Sequence, residues 1–163
     1  MDVHQKDNEA MALNQALEFS NVPGDVQRAF SGGAPQKTLL QAGHRLYKFT
    51  QYGLFHNGKT TAWWSSVLPI DQADTGLDVL LERAARLKTT AAEFARARNA
   101  VTKHWNSMSG LLVAEIMSPV YAFVGRVAHQ SFDERPEYHN VFFIGGATQL
   151  WIPNLTPSHI RVV

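Results

Sequence analysis

Residues 43–50 (GHRLYKFT) combine two cations with an aromatic ring at the spacing of a β-strand. Because side chains alternate along a strand, Arg45 and Tyr47 would share one face and Lys48 would lie on the other. A cation binds phosphate, and an aromatic face stacks on a flat ring. The segment is therefore typical of a strand that binds a neutral or anionic ligand containing a ring.

A second segment, residues 61–66 (TAWWSS), carries two adjacent tryptophans followed by two hydroxyls. Its β-branched and aromatic residues favour a strand. We predict that Trp64, Ser65 and Ser66 contact the same ligand. A purely structural explanation stays open, since a tryptophan pair in a strand often places one ring in the core and the other at the edge.

The third segment, residues 144–155 (IGGATQLWIPNL), begins with a pair of glycines. Glycine lets a backbone approach a ligand closely, so Gly145 and Gly146 are predicted to offer N–H groups to an amide. Farther along the strand, Leu150 suits the core, which leaves Gln149 for the face toward the ligand. The alternative is that the glycine pair only forms a bulge or a turn.

Composition and missing motifs exclude several classes of site. The 163 residues include no cysteine, which rules out disulfides, thiolate zinc sites and a cysteine nucleophile. None of the seven histidines pairs at i, i+4, and neither a phosphate-binding glycine loop nor H-E-x-x-H occurs. No metal site is therefore predicted. A net charge of +1 disfavours nucleic acid as a partner.

The chain shows no pattern of a membrane or secretory segment. No apolar run approaches the ~20 residues that cross a bilayer. Residues 1–10 are polar and mixed in charge, unlike a signal peptide. We therefore expect a soluble protein, cytoplasmic or secreted without a classical signal, with no membrane partner.

The predicted elements change in type along the chain. A break at residues 31–35 (SGGAP) separates an N-terminal arm, residues 1–35, from one domain, residues 36–163. Two strands precede two helices, and the second helix starts with a capping box at Thr90 and Glu93. Several short strands follow, an order that predicts an α+β fold with antiparallel pairing. The core face of the second helix is predicted to comprise Phe94, Val101, Trp105 and Met108.

Taken in order, the three segments resemble the ADP-ribosyltransferase fold of bacterial mono-ADP-ribosyltransferase toxins and of necrotizing-toxin-type NAD glycohydrolases. LYKFT resembles their first strand, with Lys48 where an arginine or histidine usually stands, and AWWSS resembles their aromatic and serine strand. GGATQLWIP resembles a glycine-rich G-G-x-Q segment, with Gln149 at the catalytic position. The resemblance implies two small, mostly antiparallel sheets that form an NAD-binding cleft, with helices between the early and late strands.

The resemblance also implies that NAD is the substrate and that the chain is a bacterial toxin or effector domain. Lys48 or Arg45 would hold the pyrophosphate, and Tyr47 or Trp64 would stack near nicotinamide. Because Gln149 stands where a transferase has glutamate, NAD hydrolysis is favoured over transfer of ADP-ribose. The implied partners are NAD and a protein acceptor or an immunity protein. The competing hypothesis is a non-catalytic interaction or nucleotide-binding module on a similar fold.

Overall fold

The computed structural model describes residues 11–30, 34–50, 53–55, 58, 60, 62–72, 74–93, 110–128, 130–131, 142–143 and 147–163. Within these residues the helical elements include a 3₁₀ turn at Phe19–Asn21, helix α1 at Gly24–Ala29 and helix α2 at Gly76–Arg86. The strands are β1 (Gln36–Leu40), β2 (Arg45–Thr50), β3 (Trp63–Ser66), β4 (Gly110–Ile116), β5 (Val120–Arg126), β6 (Gln130–Ser131), β7 (Phe142–Phe143), β8 (Thr148–Trp151) and β9 (Ile160–Val162).

Seven of these strands form one antiparallel sheet in the order β1-β5-β8-β3-β2-β4-β9. Strands β6 and β7 form a separate antiparallel pair. The predicted α+β class with antiparallel pairing is therefore confirmed, as a single domain with few helices. The division into two small sheets around an NAD cleft stays a prediction.

Strand β3 joins the two halves of the seven-stranded sheet. Residues 63–64 pair with residues 150–151 of β8, whereas residues 65–66 pair with residues 46–47 of β2. The strand thus changes its paired neighbour halfway along its length. Beyond residue 47, β2 continues to pair with β4 but no longer with β3. The sheet is consequently held together at its centre by four residues.

Residues paired directly across antiparallel strands lie on the same face of a sheet, so the register defines two faces. We name them the Trp64 face and the Tyr47 face. The Trp64 face carries one continuous apolar cluster with members from both halves of the sheet. It comprises Leu40, Leu46, Trp64, Ala114, Ile116, Val120, Ala122, Val124, Leu150, Ile152, Leu155 and Ile160.

The Tyr47 face carries two separate apolar clusters. One lies under α2 and contains Tyr47, Phe49, Leu77 and Leu80. The other lies under the N-terminal segment and contains Val22, Val26, Phe30, Phe123 and Trp151. The helices account for this division, because α1 covers one half of the sheet and α2 covers the other.

Residues 11–30 are held against the sheet by the apolar cluster around Phe30 and by backbone contacts. Leu13 bridges Val120, and Phe30 bridges Val127. The Asn14 side chain donates to the Pro153 carbonyl at 2.8 Å. These contacts place part of the predicted arm in the core. Whether residues 1–35 are looser than the rest of the chain stays a prediction.

The helical predictions are met where the structure describes them. The first predicted helix, residues 77–87, corresponds to α2 at Gly76–Arg86. The Thr90 hydroxyl accepts a hydrogen bond from the Glu93 N–H at 3.1 Å, so the predicted N-cap is confirmed. The core positions predicted beyond it, Phe94, Val101, Trp105 and Met108, lie outside the described residues. Within the described part of the chain, no helix is long and apolar enough to cross a membrane.

Candidate functional site

The fold brings the three segments side by side. Strand β8 holds the third segment, β3 the second and β2 the first, and these strands are consecutive neighbours at the centre of the sheet. The third segment is distant in sequence from the other two, so only the strand pairing brings it beside them. Their polar side chains divide between the two faces, because neighbours in sequence point in opposite directions along a strand.

Lys48 lies on the Trp64 face and stacks on Trp64 itself. Its Nζ is 3.7 Å from the centroid of the Trp64 ring, which is the geometry of a cation–π contact. Trp64 is fully buried, at 0 % exposure, and Lys48 is half-buried. Burial lowers the pKa of the Lys48 ammonium to about 7. The contact forms at the point where β2 and β3 stop pairing.

Two other polar atoms on this face are buried without a partner. Within the described residues, the indole Nε1 of Trp64 and the hydroxyl Oγ1 of Thr148 have no hydrogen-bond partner. Thr148 pairs directly with Arg126 of β5, so the exposed Arg126 belongs to the same face. A buried polar group without a partner costs about 1–3 kcal/mol. Such a cost in a folded chain points to a ligand or a bound water.

Farther along the Trp64 face, Ser66 is engaged by a histidine. The Ser66 hydroxyl and His44 Nε2 are 2.9 Å apart. Burial lowers the pKa of His44 below its usual value. A neutral imidazole beside a hydroxyl is the geometry of a base with its proton source, but Ser66 is almost completely buried. The pair therefore stabilises the junction of β2 and β3.

The Tyr47 face holds a different polar group. The Tyr47 side chain hydrogen-bonds Ser65, its direct partner in β3. Burial raises the pKa of the Tyr47 hydroxyl to about 12, and the negative charge of Asp74 adds to the rise. Gln149 alternates with Leu150 and therefore lies on this face, opposite Gly125, where it is only 7 % exposed. Tyr47, Ser65 and Gln149 thus share one face.

Arg45 also belongs to the Tyr47 face, at the exposed end of β2. Its direct partner is Glu115 of β4, whose other neighbour is Arg161 of β9. Arg161 Nη2 is 2.9 Å from Glu115 Oε2. Arg45 therefore lies in a cross-strand row of Arg45, Glu115 and Arg161. The negative charge of Glu115 makes this row less suited to binding an anion.

The two residues predicted to be catalytic, Lys48 and Gln149, lie on opposite faces of the sheet. Lys48 shares its face with Trp64 and Ser66, and Gln149 shares the other with Tyr47, Ser65 and Arg45. Gly145 and Gly146 lie outside the described residues. No group of three or more metal-ligating side chains occurs in the part of the chain that the structure describes.

The sequence reasoning missed two residues of the Trp64 face. Thr148 is next to Gln149 in sequence, and its spacing of two residues from Leu150 indicates only that the two side chains share a face of β8. Arg126 ends an apolar strand, and nothing in the sequence connects it to Thr148.

The chain matches no family model, no curated protein and no solved structure.

Proposed function

We propose that the chain binds NAD at the junction of β8, β3 and β2 and cleaves the bond between nicotinamide and ribose. The observation that carries the proposal is the adjacency of the three segments at the centre of the sheet. The cation of Lys48 and the ring of Trp64 lie there on one face, and the amide of Gln149 lies on the other face with Tyr47 and Ser65. A site on a rigid sheet holds such groups in a fixed geometry, which favours orientation of a bound substrate.

The proposed hydrolysis needs only NAD and water. The bond between C1′ and the nicotinamide nitrogen breaks, and its electron pair leaves with nicotinamide, which is thereby neutralised. Water then attacks C1′ and loses a proton, giving ADP-ribose. A protein nucleophile in place of water would give transfer of ADP-ribose. The amide of Gln149 would hydrogen-bond the ribose as positive charge develops on it.

Under this proposal the other roles divide according to the face on which each residue lies. A ligand on the Tyr47 face would meet Gln149, Ser65 and Tyr47, with Arg45 as the cation at the end of the strand. A ligand on the Trp64 face would meet Lys48, Trp64 and Ser66. Because Lys48 and Gln149 lie on opposite faces, a ligand bound on one face would contact only one of the two.

A second candidate function is nucleotide binding without cleavage. The observation that favours it is the position of Lys48 and Gln149 on opposite faces. A cation that holds phosphate on one face would bind the ligand, and Gln149 on the other face would not reach the ribose. In that case the chain is a binding module.

The test is to mix the purified chain with NAD and to measure the release of nicotinamide by chromatography. We expect Gln149→Ala to lower the rate about 100–1,000-fold, because it removes the amide oxygen that would accept a hydrogen bond from the ribose as positive charge develops there. Gln36→Ala, on the exposed end of β1, is the matched control and should keep the wild-type rate. Lys48→Met should raise KM, since a phosphate contact exists in ground and transition states alike. Lys37→Met removes a lysine that also lies over a ring, that of Tyr121, and is its control.

Each outcome selects one function. Binding of NAD by the wild type without nicotinamide release rejects the enzyme and supports the binding module. Absence of both binding and release rejects both candidates and favours an interaction module. Release that survives unchanged in Gln149→Ala and Lys48→Met shows that the chemistry lies elsewhere in the chain.

A further inference from the structure

The N-terminal segment, residues 11–30, crosses the Tyr47 face at β8. Strand β8 lies between β5 and β3, so a side chain that contacts both of these strands on one face must cross it. Phe30 makes both contacts. A Cβ placed on Gly125 of β5 would lie 2.8 Å from Phe30 Cδ1, and the ring centroids of Phe30 and Trp63 of β3 are 5.2 Å apart. The Phe30 ring therefore lies across β8.

The strand register places Gln149 at this crossing. Gly125 is the direct partner of Gln149, and Trp63 is the direct partner of Trp151, the next residue of β8 on the same face. Because Gly125 has no side chain, Phe30 takes the place beside Gln149 that a side chain at position 125 would otherwise fill. Phe30 and Gln149 are both buried, in agreement with a ring that packs over the amide.

Hydrogen bonds at both ends hold the N-terminal segment in this position. Near its C-terminal end, the Ala128 N–H donates to the Ala29 carbonyl at 2.7 Å. Near its N-terminal end, the Asn14 side chain donates to the carbonyls of Tyr121 and Pro153 at 3.2 Å and 2.8 Å. None of these hydrogen bonds belongs to the pairing of β8 with its neighbours. The segment can therefore detach while the centre of the sheet stays paired, which is a local opening.

We infer that residues 11–30 are an internal inhibitor of the site at Gln149. A ligand that contacts the Gln149 amide on the Tyr47 face has to lie where Phe30 lies, so the two compete for one place. The folded chain is thus the closed state, and the wild type acts only at the low rate set by transient release of the segment. The inference rests on the proposed function in assigning Gln149 to the site, but the covering of Gln149 by Phe30 is independent of it.

The absence of cysteine from the chain allows a direct test of the cover. Gln149→Cys introduces a single thiol, and its rate of modification by N-ethylmaleimide reports how often position 149 is uncovered. Thr148→Cys is the matched control, because Thr148 is equally buried but lies on the other face of β8. Adding Phe30→Ala should speed modification at position 149 about tenfold or more and leave position 148 unchanged.

A second variant releases the segment far from Gln149, in case Phe30→Ala fails to fold. Asn14 has a φ of 64°, which glycine adopts without strain, so Asn14→Gly removes the side-chain hydrogen bonds and keeps the backbone conformation. It should also speed modification at position 149 and not at position 148. Equal acceleration at both positions would show that the whole sheet opens. No acceleration at position 149 in either variant would show that the segment does not cover it. Each of these two results overturns the inference.

Nicotinamide release from NAD, measured in chains that keep Gln149, separates this inference from the proposed function. Phe30→Ala and Asn14→Gly should each raise the rate above that of the wild type. Selective thiol modification at position 149 without nicotinamide release from any variant keeps the segment as a cover of Gln149 and rejects the enzyme. Nicotinamide release by the wild type that neither variant raises keeps the enzyme and rejects the internal inhibitor.

Discussion

The two faces of the central sheet differ in how they are packed and in what charge they carry. The Trp64 face has one continuous core, and its only charged strand residues within the described chain are Lys48 and Arg126. The Tyr47 face has two cores, one under each end of the sheet, and its charges include Glu115 as well as Arg45 and Arg161.

This difference shows that adjacency in a sheet is not sufficient to form a site. The strands β8, β3 and β2 are neighbours, yet each contributes different side chains to the two faces. On the Tyr47 face, Gln149 and Ser65 are both buried. On the Trp64 face, two donors stay without a partner among the described residues. The two faces therefore differ in polar pairing, since Tyr47 and Ser65 are hydrogen-bonded to each other on the first face.

The largest expected difference between the faces is in the two adjacent tryptophans. Trp64 is fully buried in the continuous core, so Trp64→Ala should lower the free energy of unfolding by about 3–5 kcal/mol. Trp63 is half-buried beside the N-terminal cluster, so Trp63→Ala should cost clearly less. Denaturant unfolding of both variants measures the difference. Equal losses would show that the two faces contribute equally to the free energy of unfolding, despite their different packing.

A smaller effect is expected where the N-terminal segment covers the Tyr47 face. A Cβ placed on Gly125 would lie 2.8 Å from Phe30 Cδ1 and 3.0 Å from Pro35 Cβ. Gly125→Ala should therefore overpack this contact and lower the free energy of unfolding by about 1–3 kcal/mol. The variant should also speed proteolytic cleavage between residues 11 and 35, because Phe30 and Pro35 can no longer pack closely against β5 at Gly125.

The control for that substitution is Gly53→Ala, where an added Cβ would meet nothing within 4 Å. It should change the free energy of unfolding by less than about 0.5 kcal/mol. Wild-type stability and wild-type proteolysis in Gly125→Ala would show that Phe30 and Pro35 pack loosely on the sheet. The predicted looseness of residues 1–35 would then extend to the segment that the structure places in the core.

The smallest effect is the pH dependence contributed by Lys48. Burial lowers its pKa to about 7 from a usual value of 10.5, so between these values the unfolded chain binds more protons than the folded chain. Stability from this group therefore rises as the pH increases from about 7 toward 10.5 and is lost as the pH falls to about 7. The cation–π contact with Trp64 favours the charged form and reduces the size of the effect.

Thermal unfolding between pH 7 and about 9, below the titration of tyrosine, measures this contribution. Lys48→Met should gain less stability than the wild type over that range, and Lys37→Met should follow the wild type. Parallel curves for the wild type and Lys48→Met would show that solvent reaches the Lys48 ammonium in the folded chain. The contrast between the faces would then rest on packing alone.

Much of the local structure was predictable from the sequence. The alternation along β2 separated Lys48 from Tyr47 correctly, because the direction of a side chain in a strand depends only on its position. The same argument placed Gln149 and Leu150 on different faces of β8, and the register agrees. That Gln149 faces a cleft stays a prediction, because all four residues of β8 are buried and alternation alone does not say what lies over them.

The strand partners lay beyond any local argument. The pairing of residues 63–64 with β8 joins parts of the chain that are far apart in sequence, whereas residues 65–66 pair with β2, the preceding strand. Such pairings are selected by how much apolar surface the whole sheet buries, and periodicity within one segment carries no information about them. The contact of Lys48 with Trp64, and the place of Arg126 beside Thr148, depend on that choice.

Residue types and their spacing established which chemistry this chain can attempt: cysteine chemistry is excluded, and cations, aromatic rings, hydroxyls and an amide are available in three strands. These properties are covalent or local, so they hold in any fold. The tertiary structure decided which of those groups meet, because a side chain's neighbours across a sheet come from other strands. It placed Lys48, Trp64, Thr148 and Arg126 along one face and put Gln149 on the other.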